Sequence, residues 1–151
     1  MAFVTNPIGI LGEEEAAKIL KKKGFKILEQ NWRMGHLELD LIAADRKMIV
    51  FAEVKARTTT YGQILPEEYV DENKKRRMIA AGNAYIKQHK TDKTPRFDII
   101  GIVVDAETNE IVYWNHIENA FAPYMKTVGS SSFSGLLGWL HRGHTIGRKK
   151  R

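Results

Sequence analysis

The fold is decided by one stretch of the chain, which reads LELDLIAA (residues 37–44), DRK (residues 45–47) and MIVFAEVKAR (residues 48–57). The two outer segments are apolar runs, and the second is rich in the branched and aromatic residues that favour strands. The polar segment between them is typical of a turn. The stretch therefore predicts a β-hairpin.

Four charged side chains interrupt the apolar runs of this hairpin: Glu38, Asp40, Glu53 and Lys55. Side chains alternate between the two faces of a strand, so each strand places its two charged residues on one face. A two-residue loop would pair Glu38 with Glu53. A four-residue loop (45–48) would pair Asp40 with Glu53 and Glu38 with Lys55. Either loop gathers all four charges on a single face.

Carboxylates that face each other across a strand pair lie about 5 Å apart and repel one another. A divalent cation relieves that repulsion, and hard cations such as Mg²⁺ prefer carboxylate oxygens. An amphipathic hairpin with a solvated charged face is the simpler alternative. The apolar residues of the hairpin occupy both faces, however, so we expect the charges to line a cleft, where carboxylates need partners.

Composition indicates a single globular domain. The chain has 151 residues, of which 43% are hydrophobic, and this is enough for one core. It contains no cysteine, which excludes disulfides and thiolate metal sites. No apolar run reaches the ~20 residues of a membrane span, and the N-terminus does not resemble a signal peptide. We therefore expect a cytoplasmic protein without a membrane span.

The excess positive charge lies entirely in the C-terminal part. Six of the 24 lysines and arginines, and none of the 18 acidic residues, follow residue 118, so the preceding residues are neutral and the total is +6. A basic end attracts nucleic acid, although a solubilising end has the same composition. Residues 129–132 are typical of a linker, and residues 133–140 of a short apolar helix. We predict a domain over residues 1–118 and a basic Gly/Ser-containing extension over residues 119–151.

Two helices and further strands surround the hairpin. An N-cap and proline at Asn6-Pro7 and a stop at Gly24 predict a first helix over residues 7–23. The remaining pattern predicts strands over residues 25–33, 96–104 and 111–117, and a second helix from Pro66 to His89. The predicted order is α-β-β-β-α-β-β.

The helices add charged residues to those of the hairpin. Glu13 falls on the inward face of the first helix, and Glu14 and Glu15 lie further off it. A first-turn glutamate favoured by the helix dipole is the alternative interpretation of Glu13. The second helix carries four consecutive basic residues, 74–77. They form a solvated face or, next to an acidic cleft, a surface that binds a phosphate backbone.

One pattern in this region resembles the PD-(D/E)xK nucleases: twelve residues separate Asp40 from Glu53, and one residue separates Glu53 from Lys55. Leu39 stands where the classical motif has proline. These enzymes share a restriction-endonuclease-like core of order αβββαβ, which agrees with the order predicted from the pattern. The setting of the motif on two adjacent strands, with Glu13 on the preceding helix, makes the resemblance specific.

The chain resembles the YraN family of bacterial proteins more closely still. The resemblance covers roughly residues 9–117, and the tail after Asn119 lies outside it. Its blocks occur in order: Gly12-Glu13, residues 24–28, 31–33, 38–43 and 51–57, Lys74, and Arg96-Phe97-Asp98. The family is similar to archaeal Holliday-junction resolvases, which act as symmetric dimers.

The resemblance implies an α/β fold with a mixed central sheet flanked by helices. It also implies an endonuclease that uses Mg²⁺ or Mn²⁺ to hydrolyse phosphodiester bonds in DNA, including branched DNA, and that forms a homodimer. The implied metal ligands are Asp40, Glu53 and the Val54 carbonyl, with Glu13 as an accessory acid that holds a second metal ion or a bound water, and Lys55 as the catalytic lysine. Five basic residues are expected to bind the DNA: Arg57, Lys74, Lys75, Arg76 and Arg77.

Two other functions agree with the sequence. One is a non-catalytic module that keeps this fold and binds nucleic acid through its basic surfaces. The other is a protein-interaction adaptor that uses the apolar segment at residues 133–140.

Overall fold

The structure is a computed structural model that describes residues 6–59 and 70–122 and the backbone of the strand at residues 144–147. Its elements are α1 (Pro7–Lys22), β1 (Lys26–Met34), β2 (Leu37–Ala44), β3 (Met48–Thr58), α2 (Glu72–His89), β4 (Thr94–Val104), β5 (Ile111–Phe121) and β6 (His144–Gly147). The predicted order is confirmed through β5, and β6 is a strand that the sequence pattern did not predict.

The strands form one mixed sheet in the order β1-β2-β3-β4-β5-β6. Strands β3 and β4 run parallel, and the other four neighbouring pairs of this sheet run antiparallel. A parallel pair needs a crossover connection, which α2 provides. The fold is therefore α/β, with the predicted restriction-endonuclease-like αβββαβ core.

Each helix covers one face of the sheet, so the core has two layers. The layer under α2 includes Leu39, Ile42, Phe51, Met78, Tyr85 and Phe97. The layer under α1 includes Ala16, Leu20, Leu41, Val50 and Ile100. Because both faces are covered, the central strands are apolar at successive positions instead of alternating with polar residues. This explains why the apolar residues of the hairpin occupy both faces.

The N-terminal caps set where the two helices begin. In α1, the Asn6 side chain accepts a hydrogen bond from the Ile8 backbone at 3.1 Å, as the Asn6-Pro7 signal predicts. In α2, Asp71 accepts from the Lys74 backbone at 2.7 Å, which satisfies a free N–H of the first turn. The predicted start of this helix at Pro66 lies outside the described residues, and α2 begins only at Glu72.

The far edge of the sheet extends beyond the predicted strands. Strand β5 continues to Phe121, whose ring stacks on Phe97 with centroids 5.3 Å apart. Strand β6 pairs with β5 from Trp114↔Gly147 to Ile117↔His144, so residues after position 118 take part in the sheet. The predicted linker and apolar helix at residues 129–140 lie outside the described residues. Among the described helices, none is long and apolar enough to cross a membrane.

Candidate metal and nuclease site

The hairpin adopts the register of the four-residue loop. Strands β2 and β3 pair from Ala44↔Ile49 to Leu41↔Ala52. In the turn, the Asp45 side chain accepts hydrogen bonds from the Lys47 and Met48 backbones at 2.8 and 2.7 Å. The same register, continued by one position, places Asp40 opposite Glu53.

The carboxylate of Asp40 lies where the ladder between β2 and β3 ends. The last ladder pair is Leu41↔Ala52. Beyond it, Asp40 Oδ2 accepts a hydrogen bond from the Val54 backbone at 2.9 Å. The Asp40 side chain thus replaces a backbone partner for β3 and is held between the two strands, beside Glu53.

The regular pleat of the sheet is broken at the same position. Leu39 packs in the layer under α2 and Leu41 in the layer under α1, although strict alternation would place both on one face. On β1, the register places Asn31 opposite Asp40, and Asn31 has a φ of 51°. Asparagine tolerates this left-handed conformation better than most residues. The irregularity turns Asp40 out of the alternating pattern, as bulges near functional sites do.

Glu53 is the buried centre of the site. It is 4% exposed, and each of its carboxylate oxygens faces a lysine. Lys55 Nζ lies 3.4 Å from Oε1, and Lys74 Nζ lies 3.4 Å from Oε2. Burial and the neighbouring Asp40 carboxylate raise the pKa of Glu53 to about 7, against the opposing charges of the two lysines. The metal-free site therefore favours the protonated form of Glu53 more than water does.

The basic residues on α2 do not act as one band. Lys74 turns into the site, where it also lies 3.8 Å from Glu38. Lys75 pairs with Glu72 at 2.9 Å instead. The two remaining predicted DNA-binding residues of α2, Arg76 and Arg77, are exposed, as is Arg57 on β3.

Glu13 approaches the site from the α1 side but does not join the carboxylate pair. Its Oε2 accepts a hydrogen bond from Asn31 Nδ2 at 3.1 Å. Helix α1 comes close to β3 at the preceding residue, because a Cβ at Gly12 would lie 2.5 Å from Ala56 Cβ. Within residues 6–59 and 70–122, no three carboxylate or histidine side chains converge as a metal site would require. Glu15, predicted to lie off the inward face, is 7% exposed.

The donor set of the pair fits a hard divalent cation. Asp40 and Glu53 offer oxygen donors of like charge, and Asp40 raises the pKa of Glu53 both by its charge and by a side-chain hydrogen bond. A cation between them would offset the repulsion from Asp40, which together with burial raises the pKa of Glu53. Mg²⁺ keeps several waters and is often held by only one or two carboxylates. Two carboxylates are therefore enough for a site that also binds substrate.

A second charged cluster lies on the other face of the sheet and is structural. Asp98 is fully buried and accepts two hydrogen bonds from Arg96, at 2.8 and 2.7 Å, and one from His116 Nε2 at 2.7 Å. The Asn119 backbone donates a fourth at 3.0 Å. Burial alone would raise the pKa of Asp98, but the bonds from His116 and Arg96 hold it below its ordinary value. The cluster joins β4 to β5.

Sequence reasoning named Lys74 only as a DNA-binding residue and assigned Asn31 no role in the site. Asn31 and the inward direction of Lys74 depend on contacts between elements that are distant in sequence. One local signal was available, since Asp71 three residues before Lys74 is typical of a helix start and fixes where Lys74 lies on the first turn.

The chain matches known proteins across this whole region. The sequence profile of the uncharacterised protein family UPF0102, which includes the YraN proteins, matches residues 12–102. A UPF0102 protein of Bacteroides thetaiotaomicron is 40% identical over 119 residues, which are 78% of this chain and 94% of that protein. A Phocaeicola vulgatus relative is 42% identical over 78% of this chain and 94% of its own. One from Caldanaerobacter subterraneus subsp. tengcongensis is 42% identical over 76% and 93%.

Proposed function

This chain belongs to the uncharacterised protein family UPF0102, and from its own site we propose that it is a metal-dependent endonuclease that hydrolyses phosphodiester bonds in DNA, including branched DNA. The observation that carries the proposal is the placement of Asp40 opposite Glu53 where the β2–β3 ladder ends, with Lys55 3.4 Å from Glu53. Paired carboxylates beside one ammonium are the groups that metal-assisted phosphodiester hydrolysis needs.

Each residue has a separate role in the proposed reaction. Asp40 and Glu53 would hold Mg²⁺ or Mn²⁺, with the Val54 carbonyl as a further ligand. When bound, the cation would supply charge neutralisation at the phosphate and activation of water. The oxygen of water forms a bond to phosphorus, the bond from phosphorus to one ester oxygen breaks, and that oxygen takes up a proton.

The ammonium of Lys55 donates hydrogen bonds to the scissile phosphate and orients the attacking water. The Glu53 carboxylate, 3.4 Å from Nζ, holds this ammonium in the site. Glu13 acts on the site through Asn31, whose side-chain amide it holds and whose backbone lies opposite Asp40 in the β1–β2 register. We therefore assign Glu13 as a positioning residue.

The surface around the site supports nucleic acid as the substrate. The exposed Arg76 and Arg77 follow Lys74 on α2, and Arg57 lies on the same strand as Glu53. Basic side chains beside an acidic metal site hold phosphates on either side of the scissile bond and fix the register of the strand. Cutting both strands of a junction takes two sites, so the proposal includes a homodimer.

Cleavage assays on linear, flapped and four-way DNA with Mg²⁺ test the proposal. We expect Asp40→Asn and Lys55→Met each to reduce cleavage by about 10²-fold or more while circular dichroism shows a retained fold. The matched control is Glu14→Gln, which removes one carboxylate from the exposed side of α1 and should leave cleavage unchanged. Wild-type rates in both site variants would refute the assignment.

A non-catalytic module that binds nucleic acid is the second candidate. It is favoured by one observation, the engagement of Glu13 by Asn31, which leaves two carboxylates at the site. Calorimetric titration with Mg²⁺ and binding of four-way DNA separate the two. The module predicts DNA binding without a metal requirement and without products, whereas the nuclease predicts metal binding and cut strands.

A further inference from the structure

Lys74 points from helix α2 into the carboxylate site, whereas a lysine on the solvent face of an amphipathic helix would point into water. Its Nζ lies 3.4 Å from Glu53 and 3.8 Å from Glu38, and its side chain is 18% exposed. Its backbone N–H donates to the Asp71 cap at 2.7 Å, so the first turn of α2 fixes where the side chain begins. A long, flexible side chain on a fixed base can move its charge without moving the helix.

The two lysines at Glu53 differ in how easily they can leave. Lys55 is two residues from Glu53 on the same strand, and its ammonium pairs with Oε1. Lys74 belongs to another element, pairs with Oε2, and already reaches the half-exposed Glu38. A cation shared by Asp40 and Glu53 needs an oxygen of Glu53 and repels an ammonium within 4 Å. Lys55 is the more exposed of the two side chains, at 30% against 18%, but Lys74 is the one that already pairs with a second, half-exposed carboxylate toward which its ammonium can move.

We propose that Lys74 neutralises Glu53 in the metal-free protein, that a divalent cation takes its place, and that the released ammonium binds a phosphate of the DNA substrate. This inference rests on the proposed function and adds an order of events to it. Lys74 is thereby a competitor of the metal and a substrate-binding residue of the metal-loaded protein.

The charges of the site agree with this order. With Glu53 ionised, three carboxylates (Glu38, Asp40 and Glu53) face three cations (Lys55, Lys74, and Arg33, which pairs with Glu38 at 3.4 Å), so the metal-free cluster has no net positive charge to offer a phosphodiester. A divalent cation changes the net charge of the cluster from 0 to +2. The site therefore attracts the phosphate only after the cation has entered.

Calorimetric titration of the metal-free protein with Mn²⁺ at pH 8 tests the competition. Removing the ammonium in Lys74→Met should tighten Mn²⁺ binding by about tenfold or more, as expected for one charge within 4 Å of the site. Lys74→Gln should do the same and serves if the methionine variant folds poorly. The matched control is Lys75→Met, which removes the neighbouring charge paired with Glu72 and should change the affinity less than about twofold.

The release of the Lys74 ammonium is tested by measuring how tightly the protein binds a duplex oligonucleotide with and without a divalent cation. We use Ca²⁺ as that cation to avoid cleavage. Lys74→Met should weaken DNA binding only with Ca²⁺ and lower the salt dependence of log K by about one unit. Lys75→Met should have the same effect with and without Ca²⁺. Unchanged or weaker Mn²⁺ binding in both Lys74 variants would overturn the inference about Lys74 but not the proposed nuclease. The same holds if Lys74→Met weakens DNA binding equally with and without Ca²⁺. Absence of Mn²⁺ binding in the wild type would overturn the proposed nuclease as well.

Discussion

Replacing Glu53 with glutamine should make the protein more stable at alkaline pH and leave its stability unchanged at pH 5. Folding raises the pKa of this carboxyl from 4.5 to about 7. A raised pKa means that the native state binds the proton more tightly than the unfolded state does. The contribution of the protonated group to the free energy of unfolding is therefore complete below pH 4.5 and is lost as the pH rises through 7. The difference corresponds to about 3 kcal/mol between pH 5 and pH 9. Glutamine resembles the protonated acid and carries no such penalty.

Urea unfolding followed by circular dichroism at pH 5, 6, 7, 8 and 9 measures this difference. The free energy of unfolding of Glu53→Gln minus that of the wild type should grow with pH and level off above pH 8, while the titration of other groups cancels. The control, Glu14→Gln, lies on the exposed side of α1 and should give a difference that does not vary with pH. If the free energies of unfolding of Glu53→Gln and the wild type change with pH in parallel, burial and Asp40 do not raise the pKa of Glu53.

Three further predictions follow from the same geometry. Mn²⁺ affinity, measured by calorimetry in buffers of different ionisation enthalpy, should fall about tenfold per pH unit below 7 with release of one proton from Glu53; a flat profile would contradict this. Asp98→Ala should cost about 3–5 kcal/mol in urea unfolding at pH 7, because it removes the buried carboxylate that accepts hydrogen bonds from Arg96 and from the buried His116. The contribution of Asp98 is complete above pH 3.8 and is lost as the pH falls through its lowered pKa, so the loss should shrink in strong acid. Gly12→Ala should cost about 1–3 kcal/mol by pushing α1 from Ala56, whereas Gly9→Ala, with no contact closer than 3.8 Å, should not destabilise.

The sequence was sufficient for the order of the elements and for the carboxylate pair, because both depend on local patterns. The apolar runs on either side of residues 45–47 define the hairpin, and an even loop brings Asp40 and Glu53 to one region under either register. The choice between the two registers needed the structure, since it depends on how Asp45 closes the turn with Lys47 and Met48.

The predictions from sequence were wrong or missing where contacts between distant elements determine the structure. The helical periodicity of α1 favoured Glu13 as the inward carboxylate, whereas Glu15 is the more buried of the two. Strict alternation along β2 gave no hint of the break between Leu39 and Leu41, which lies opposite Asn31 of another strand, where φ is 51°. Strand β6 has four residues, which is too short for a recognisable period.

The most direct test of the metal site is an anomalous difference map from a crystal soaked in Mn²⁺ at pH 8. We predict one peak between the carboxylates of Asp40 and Glu53, with the ammonium of Lys74 withdrawn from Glu53. A map without density at that position, in crystals where no neighbouring molecule covers the pair, would contradict the claim that this pair is a metal site.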